Sequence, residues 1–185
     1  MTSVEKLLEE AVSLLDSVGV PWAVMGGCAR NAYAEPRATR DVDFVVEAAP
    51  ERFGQLEQAL RQAGFERGST VGEQDDPVPD LVLYRDSAGR RLDMLFAHTA
   101  FEQSALARRR LLAPFGATRA QVVSVEDLII YKLIADRPQD RADIAAVVEA
   151  QRMRGESIDW RYVEHWCAAW EVQDRLAARR AELAV

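Results

Sequence analysis

The segment GGCARNAYAEPRATRDVDFVV, residues 26–46, contains two aspartates inside an apolar run that otherwise reads as a buried strand. Asp41 and Asp43 are one residue apart, so a β-strand would point both carboxylates to the same face. Val42 and Phe44 would then point to the opposite face and into the core. Neighbouring carboxylates repel each other unless a cation lies between them, and Mg²⁺ with oxygen ligands is the usual solution. This pattern predicts a strand that carries a metal site.

A third carboxylate, Asp93, lies alone in the apolar run RRLDMLFA, residues 90–97. By itself it fits an edge-strand carboxylate that faces water. If its strand neighbours the strand of Asp41 and Asp43, however, three carboxylates meet at one place. Three acids suit two metal ions, of which one activates an attacking oxygen and the other holds a triphosphate.

The glycine pair at the start of the segment predicts a phosphate-binding turn. Gly26 and Gly27 follow an apolar strand, residues 22–25, and precede a short helix, residues 27–34. This order exposes backbone N–H groups at a helix N-terminus, and glycine lets a phosphate approach the backbone closely. A glycine pair alone fits an ordinary tight turn. The order strand, glycine pair, helix and Asp-x-Asp strand is what favours a functional site.

Composition places the chain among globular proteins. It has 185 residues, of which 49% are hydrophobic and 29% charged. No apolar run approaches the roughly 20 residues that span a bilayer, and the acidic, amphipathic start does not resemble a signal peptide. We therefore expect a cytoplasmic protein without membrane contact. Cys28 and Cys167 are too few for a disulfide framework or a zinc site, and Cys28 fits a small packed residue better than a reactive thiol.

The charge distribution disfavours one broad function class. A net charge of −7 argues against general nucleic-acid binding through a basic surface. It leaves room for a local basic strip at residues 108–110, all arginine, or at Arg175, Arg179 and Arg180. Both sets also fit solvated helix faces.

Hydrophobic periodicity and turn residues predict alternating strands and helices. Predicted helices cover residues 3–17, 27–34, 49–65, 101–112, 125–136, 137–151 and 159–183, with Ser124 as an N-cap. Predicted strands cover residues 22–25, 40–47, a hairpin at 80–97 and 121–123, and an exposed loop covers 68–79. The hairpin implies a sheet that is not wholly parallel. We predict an α/β fold: a mixed sheet flanked by helices in residues 1–123, and a helical portion in residues 124–185 packed on it as one unit.

Together these motifs resemble the DNA polymerase β-type nucleotidyltransferase superfamily, whose signature is a glycine pair, an Asp-x-Asp and a later carboxylate. The matching residues are Gly26, Gly27, Asp41, Asp43 and Asp93. The segment looks most similar to the AbiEii-like branch of nucleotidyltransferase toxins and their relatives. The lead-in motif of that branch is matched by Pro36, Arg37, Thr39 and Asp41, and its later motif by Glu126, Asp127, Leu128, Lys132, Leu133, Ala135, Arg137, Asp140, Asp143 and Ile144. The resemblance covers roughly residues 20–150.

The resemblance implies a nucleotidyltransferase of the EC 2.7.7 type, which moves a nucleoside monophosphate from a nucleoside triphosphate, such as ATP, to an acceptor hydroxyl. Asp41, Asp43 and Asp93 would bind Mg²⁺ or Mn²⁺, and Asp93 would help to deprotonate the acceptor. Gly26 and Gly27 would hold the β- and γ-phosphates. The other nucleotide-binding residues that it implies are Arg30, Arg37, Arg40, Lys132, Arg137 and Asp140.

Lys132 has two explanations, because it is a cation on a helix whose neighbouring positions are apolar. It either contacts nucleotide phosphate or forms a salt bridge to Asp140 or Asp143 that pins two helices together. The same two explanations, a role in the functional site or a structural ion pair, apply to Arg137, Asp140 and Asp143.

Several acceptors and two alternative functions stay open. Candidate acceptors are RNA, such as a tRNA 3′ end, a protein hydroxyl or a small molecule, and the resemblance also implies a toxin–antitoxin or phage-defence role with a cognate antitoxin. The alternatives are a nucleotide-binding regulatory module with little catalysis and an antibiotic-type adenylyltransferase. Arg30-Asn31 stands where CCA-adding enzymes carry Arg-Asp, and Thr39-Arg40 where antibiotic-modifying relatives often carry a histidine. The chain therefore lacks these motif residues of the CCA-adding enzymes and of the antibiotic-modifying relatives.

Overall fold

A computed structural model describes residues 3–72 and 76–184. The described helices are α1 (Ser3–Val18), α2 (Gly26–Tyr33), α3 (Pro50–Gln62), α4 (Ala100–Ala107), α5 (Val125–Ala135), α6 (Pro138–Arg154), α7 (Trp160–Ala169) and α8 (Gln173–Leu183). The described strands are β1 (Trp22–Met25), β2 (Asp41–Val46), β3 (Phe65–Val71), β4 (Leu81–Asp86), β5 (Arg91–Phe96), β6 (Arg110–Phe115) and β7 (Thr118–Val122). None of these described helices has the length and apolar character needed to cross a bilayer.

The strands form one mixed sheet in the order β3-β4-β5-β2-β1-β7-β6. β2 pairs antiparallel with β1 and parallel with β5, and β1 pairs parallel with β7. β4 and β5 form the predicted hairpin. This sheet, its flanking helices and the four helices that follow β7 confirm the predicted α/β fold. The boundary between residues 1–123 and residues 124–185 stays a prediction.

Alternation along β2 separates the core from the polar face. Val42 and Phe44 are fully buried, whereas the side chains of Asp41 and Asp43, on the opposite face, are partly exposed. The ring of Phe44 meets that of Trp22 edge-on, with 5.8 Å between the ring centroids. Helix α1 adds to this core with buried residues at three- and four-residue spacing, namely Leu7, Leu8, Ala11, Leu15 and Val18.

β3 is an edge strand where the sequence favours a loop. The predicted loop over residues 68–79 is wrong at its start, because the strand extends to Val71. Apart from Phe65 its side chains are exposed, so it lacks the apolar alternation that marks a strand in the sequence. Gly68 lets the strand approach β4, since an added Cβ would lie 3.0 Å from a backbone oxygen of that strand. Residues 73–75 of the predicted loop lie outside the described residues.

The predicted helix over residues 101–112 is wrong in its second half. α4 begins with a capping box between Thr99 and Glu102, ends at Ala107, and is followed by β6 from Arg110. Arginine favours helices, so the sequence predicts a longer one. Antiparallel pairing of β6 with β7 overrides this local preference.

Arg108 folds back onto α5 and does not belong to a basic strip or a solvated helix face. Its guanidinium donates to Glu126 at 3.0 Å and lies 4.0 Å from the centroid of the Tyr162 ring.

The arginines near the C-terminal end also have partners: Arg175 donates to the backbone oxygens of Leu133 and Ile134, Arg179 pairs with Glu182, and Arg180 pairs with Glu164. Arg108, Arg175, Arg179 and Arg180 are therefore paired within the chain, whereas Arg109 and Arg110 are exposed.

Buried ion pairs join α5 to α6. Ser124 caps α5 by accepting the backbone N–H of Asp127, as predicted. Lys132 Nζ lies 3.1 Å from an oxygen of Asp140 and 2.7 Å from an oxygen of Asp143, and all three side chains are buried. The salt bridges anticipated for Lys132 are therefore present, whereas its contact with nucleotide stays a prediction.

Leu92 and Leu111 provide a matched test of the core. Leu92→Ala removes a fully buried β5 side chain and leaves a cavity, so we expect the free energy of unfolding to fall by about 2–5 kcal/mol. Leu111 lies on β6 and is 50% exposed, so Leu111→Ala should cost less than about 1 kcal/mol. Urea unfolding followed by circular dichroism measures both losses, and equal losses would contradict the assigned core.

Lys132→Met tests the buried ion pairs between α5 and α6. Removing the ammonium leaves Asp140 and Asp143 buried with less compensation, so we expect a loss of about 3 kcal/mol in the free energy of unfolding. Urea unfolding at neutral pH measures the loss.

The matched control is Arg141→Met, which removes an exposed ion pair with Asp136. Exposed pairs contribute little, so the control should lose less than about 1 kcal/mol. If both substitutions have the same small effect, the Lys132 pairs do not hold the helices together.

Candidate functional site

A cavity of about 910 Å³ opens on the sheet face that carries the three aspartates. Its walls come from the end of β1, the start of α2, the segment before β2, strands β2, β4 and β5, and helices α5 and α6. The expected site residues that line it are Gly26, Gly27, Arg37, Arg40, Asp41, Asp43, Asp93, Lys132, Arg137 and Asp140. A cavity of this volume lies within the usual range for ligand sites.

Parallel pairing of β2 with β5 brings the carboxylates together. Asp43 lies directly opposite Asp93, and Asp41 lies opposite Arg91. Directly opposed residues share one face of a sheet. The expectation that the strand of Asp93 neighbours the Asp-x-Asp strand is therefore confirmed.

Crowding of negative charge affects Asp43 most strongly. Burial, followed by the charges of Asp41 and Asp93, raises the pKa of Asp43 to about 7. A hydrogen bond from the Gly27 N–H and the charge of Lys132 act in the opposite direction. Near neutral pH the Asp43 carboxyl is therefore divided between its protonated and ionised forms, and a nearby cation would favour the ionised form.

Asp93 combines a raised pKa with an unpartnered oxygen. Burial raises its pKa, Asp41 adds to that effect, and the charges of Arg91 and Arg85 oppose it. Its Oδ1 is buried and has no hydrogen-bond partner among the described residues. A bound ion, a ligand or an ordered water would satisfy such an oxygen.

The glycine pair allows α2 to begin directly against the carboxylates. Gly26 has a φ of +61°, and a Cβ on it would overlap the Asp43 carboxylate. A Cβ on Gly27 would lie 2.6 Å from the hydroxyl oxygen of Thr39. The Gly27 N–H donates to Asp43, so the helix N-terminus meets a carboxylate here. Its contact with phosphate stays a prediction.

Asp41 differs from the other two carboxylates because it already has a cationic partner. The Arg91 guanidinium donates to one Asp41 oxygen, and the Thr39 hydroxyl donates to the other at 3.2 Å. Among the described residues, no three acidic, histidine or cysteine side chains form a group ready to hold a metal ion. The three-carboxylate metal site therefore stays a prediction. Sequence analysis missed Arg91, although its position two residues before Asp93 places both on one strand face.

Four of the expected cations, Arg37, Arg40, Lys132 and Arg137, line the cavity. Arg37 makes two hydrogen bonds to Asp143, at 2.8 and 2.7 Å. Burial alone would raise the pKa of Asp143, but hydrogen bonds from Arg37 and Lys132 outweigh it and lower the pKa to about 2. Asp143 is therefore ionised at neutral pH and holds two of these cations at the cavity wall.

Arg30 is the expected nucleotide-binding residue that the structure does not bring to the cavity. Its side chain is buried, with Nε 3.5 Å from an oxygen of Asp143, and it also donates to the backbone oxygen of Glu35. The ion pair with Asp143 ties α2 to α6. Nucleotide contact by Arg30 stays a prediction that its burial does not favour.

Cys28, next to the glycine pair, is a packed residue. Its side chain is fully buried. Burial, followed by the charges of Asp43 and Asp41, raises the pKa of the thiol well above its usual range. Because the thiolate is the reactive form, the structure favours packing over reactivity for this cysteine.

Part of the cavity wall is apolar, which sequence analysis did not predict. Leu81 and Leu95 lie opposite each other on β4 and β5. Leu128, Tyr131 and Ile134 of α5 line the same cavity. Periodicity alone assigns such residues to the core, so their exposure to a cavity could not be read from the sequence. A wall of this kind suits a flat or apolar part of a ligand.

Solved structures of nucleotidyltransferases share this fold. The crystal structure of ANT(2″)-Ia in complex with adenylyl-2″-tobramycin superposes with a TM-score of 0.60 at 20% identity, covering 98% of this chain and 99% of that one. A nucleotidyltransferase-like protein from Paracoccidioides brasiliensis gives 0.63 at 18% identity, with 96% and 87% covered. The lincosamide adenylyltransferase LnuA, bound to lincomycin, gives 0.55 at 15% identity, with 81% and 98% covered. No curated protein sequence matches the chain.

The family comparison covers most of the molecule. Residues 13–154 match the family described as nucleotidyl transferase AbiEii toxin, type IV toxin–antitoxin system. The match includes the glycine pair, the Asp-x-Asp, Asp93 and the motif around Lys132. The chain therefore belongs to the AbiEii family of nucleotidyltransferases, as its motifs predicted.

Proposed function

We propose that this protein transfers a nucleoside monophosphate from a nucleoside triphosphate to an acceptor hydroxyl in a reaction that depends on a divalent metal. One observation carries the proposal: Asp43 and Asp93 lie opposite each other in a cavity that also holds the glycine start of α2, Lys132 and Arg137. Phosphoryl-type transfer needs positioning and charge neutralisation more than covalent chemistry from the protein. This cavity contains groups suited to both tasks.

The residues present fit a hard divalent cation. Burial and the neighbouring carboxylates raise the pKa of Asp43, and Asp93 keeps a buried oxygen without a hydrogen-bond partner among the described residues. Carboxylate oxygens are the ligands that Mg²⁺ and Mn²⁺ prefer. Asp41, Asp43 and Asp93 would hold the metal, which when bound neutralises charge on the triphosphate and on the reacting oxygens.

Each remaining polar group has a role suited to its position. Gly26 and Gly27 carry no side chain that would separate the backbone N–H groups at the start of α2 from β- and γ-phosphate oxygens. Lys132 and Arg137 would bind phosphate oxygens from the α5–α6 wall, and the Arg137 side chain is 74% exposed. Asp93 would accept the acceptor proton, because a carboxylate with a raised pKa is a stronger base.

Three classes of acceptor belong in the test. For the toxin–antitoxin role named in the family description, we include an RNA acceptor and a protein acceptor. The ligands of two fold neighbours, adenylyl-2″-tobramycin and lincomycin, add a small-molecule class. The alternative function is a regulatory module that binds nucleotide with little turnover.

Label transfer tests the proposed reaction. The protein is incubated with each labelled nucleoside triphosphate, Mg²⁺ and either total tRNA, total protein or candidate antibiotics. We expect label on one acceptor class, and a reduction of at least about 100-fold with Asp43→Asn, which removes charge stabilisation at the reacting groups. Asp174→Asn, an exposed substitution on α8, should transfer label at the unmodified rate. Nucleotide binding without transfer to any acceptor would favour the regulatory alternative.

The raised pKa of Asp43 also predicts a pH-dependent stability difference. An unfolded aspartate has a pKa of about 3.9, so between about pH 4 and pH 7 the folded state binds more protons than the unfolded state. The free energy of unfolding therefore falls as pH rises through this window. Asp43→Asn removes that loss, so without metal the variant should be more stable than the unmodified protein above pH 7, by at most about 4 kcal/mol.

Urea unfolding in EDTA at pH 4.5, 6 and 8 measures this difference, and repetition with Mg²⁺ tests its cause. The advantage of Asp43→Asn should grow with pH and then shrink when the metal stabilises the ionised carboxylates. A difference that is the same at all three pH values would contradict the assigned charge crowding.

A further inference from the structure

A row of charged residues crosses the sheet beside the carboxylates. Asp41 of β2 lies opposite Arg91 of β5, and Arg91 lies opposite Arg85 of β4. Directly opposed side chains share a face, and opposed like charges destabilise a strand pair. Two adjacent arginines are therefore unfavourable here unless one of them is neutralised. The contact of Arg91 with Asp41 provides that neutralisation.

This contact occupies a carboxylate that the proposed metal needs. The Arg91 guanidinium donates to one Asp41 oxygen, and the Thr39 hydroxyl donates to the other. The side chains of Arg91 and Asp41 are 34% and 25% exposed, so water screens the pair only in part. Both oxygens of Asp41 are therefore engaged within the chain itself.

The other two carboxylates lack such a partner. Asp93 has a buried oxygen with no hydrogen bond among the described residues, and no ion pair to Asp43 is found there either. An arriving cation can bind these two directly, whereas at Asp41 it meets oxygens that already accept hydrogen bonds from Arg91 and Thr39. Two cations that need the same oxygen compete, and each weakens the binding of the other.

We propose that Arg91 is a positioning residue that competes with the divalent ion for Asp41. It holds Asp41 in the metal-free protein and lowers the affinity of the site for the ion. The metal concentration at which the site fills is therefore set in part by Arg91. This inference rests on the proposed function, because it takes Asp41, Asp43 and Asp93 as the residues that bind the ion.

The test is a titration of the full chain with Mn²⁺ in the absence of nucleotide, in which electron paramagnetic resonance measures free Mn²⁺. Arg91→Gln should bind Mn²⁺ about tenfold more tightly than the unmodified protein. Arg85→Gln removes the same charge from the adjoining strand without touching Asp41, so its gain should stay below about threefold. Circular dichroism checks that each variant is folded, and Arg91→Met replaces Arg91→Gln if that variant is not.

A double substitution separates the effect of the Arg91–Asp41 contact from the effect of the arginine charge on the rest of the site. With Asp41→Asn as background, Arg91→Gln should raise the Mn²⁺ affinity by less than about threefold, as loss of a nearby charge alone would, since the competing partner is gone. Equal gains for Arg91→Gln and Arg85→Gln, or a tenfold gain that persists in the Asp41→Asn background, would overturn the proposal.

Failure of the proposed function gives a different result in the same titration. If Asp43→Asn binds Mn²⁺ as tightly as the unmodified protein, the metal site itself is absent, whatever the effect of Arg91. If Asp43→Asn abolishes binding and Arg91→Gln has no effect, the metal site stands and only the role of Arg91 is lost.

Discussion

The parallel pairing of β2 with β5 is the constraint on which the rest of the site depends. In that register the acidic pair Asp43 and Asp93 is followed directly by the apolar pair Phe44 and Met94. Phe44 and Met94 are fully buried. Because side chains alternate along a strand, the burial of the apolar pair forces the acidic pair onto the other face. A shift of one residue would bury the carboxylates, so the core that stabilises the sheet also fixes the geometry of the site.

Arg37, Lys132 and Arg137 are held without neutralising the site carboxylates, whereas Arg91, which also lines the cavity, pairs with Asp41. Asp143 binds Arg37 and Lys132, and Asp140 binds Lys132 and Arg137. These acids come from α6, so Arg37, Lys132 and Arg137 each have a partner that is not on β2 or β5. Lys132 consequently affects Asp43 only through space, and the pKa of Asp43 stays raised. Negative and positive groups thus lie in one cavity and are both available to a charged ligand.

Sequence patterns predicted the parts of this site that depend on local alternation and missed those that depend on strand pairing. Asp41, Asp43 and Asp93 could be found because each interrupts an apolar run at a spacing that defines its face. Local alternation gives only the strand face of Arg91, and its contact with Asp41 depends on the register between two strands that are fifty residues apart in sequence. β3 was not predicted for a related reason: a bulged edge strand with exposed side chains lacks the apolar alternation that marks a strand in the sequence.

The predicted boundary at residue 123 does not divide the site, because residues on both sides of it contribute to the cavity. The segment before β2 supplies Arg37, whose guanidinium is held by Asp143 of α6, while α5 supplies Lys132 to the same carboxylate. The cations therefore depend on acids that follow the last strand, whereas the metal-binding candidates precede it. Residues 1–123 alone would carry the acidic half of the cavity but would lack Asp140 and Asp143, which hold Arg37, Lys132 and Arg137. The helical portion is thus part of the site as well as its support.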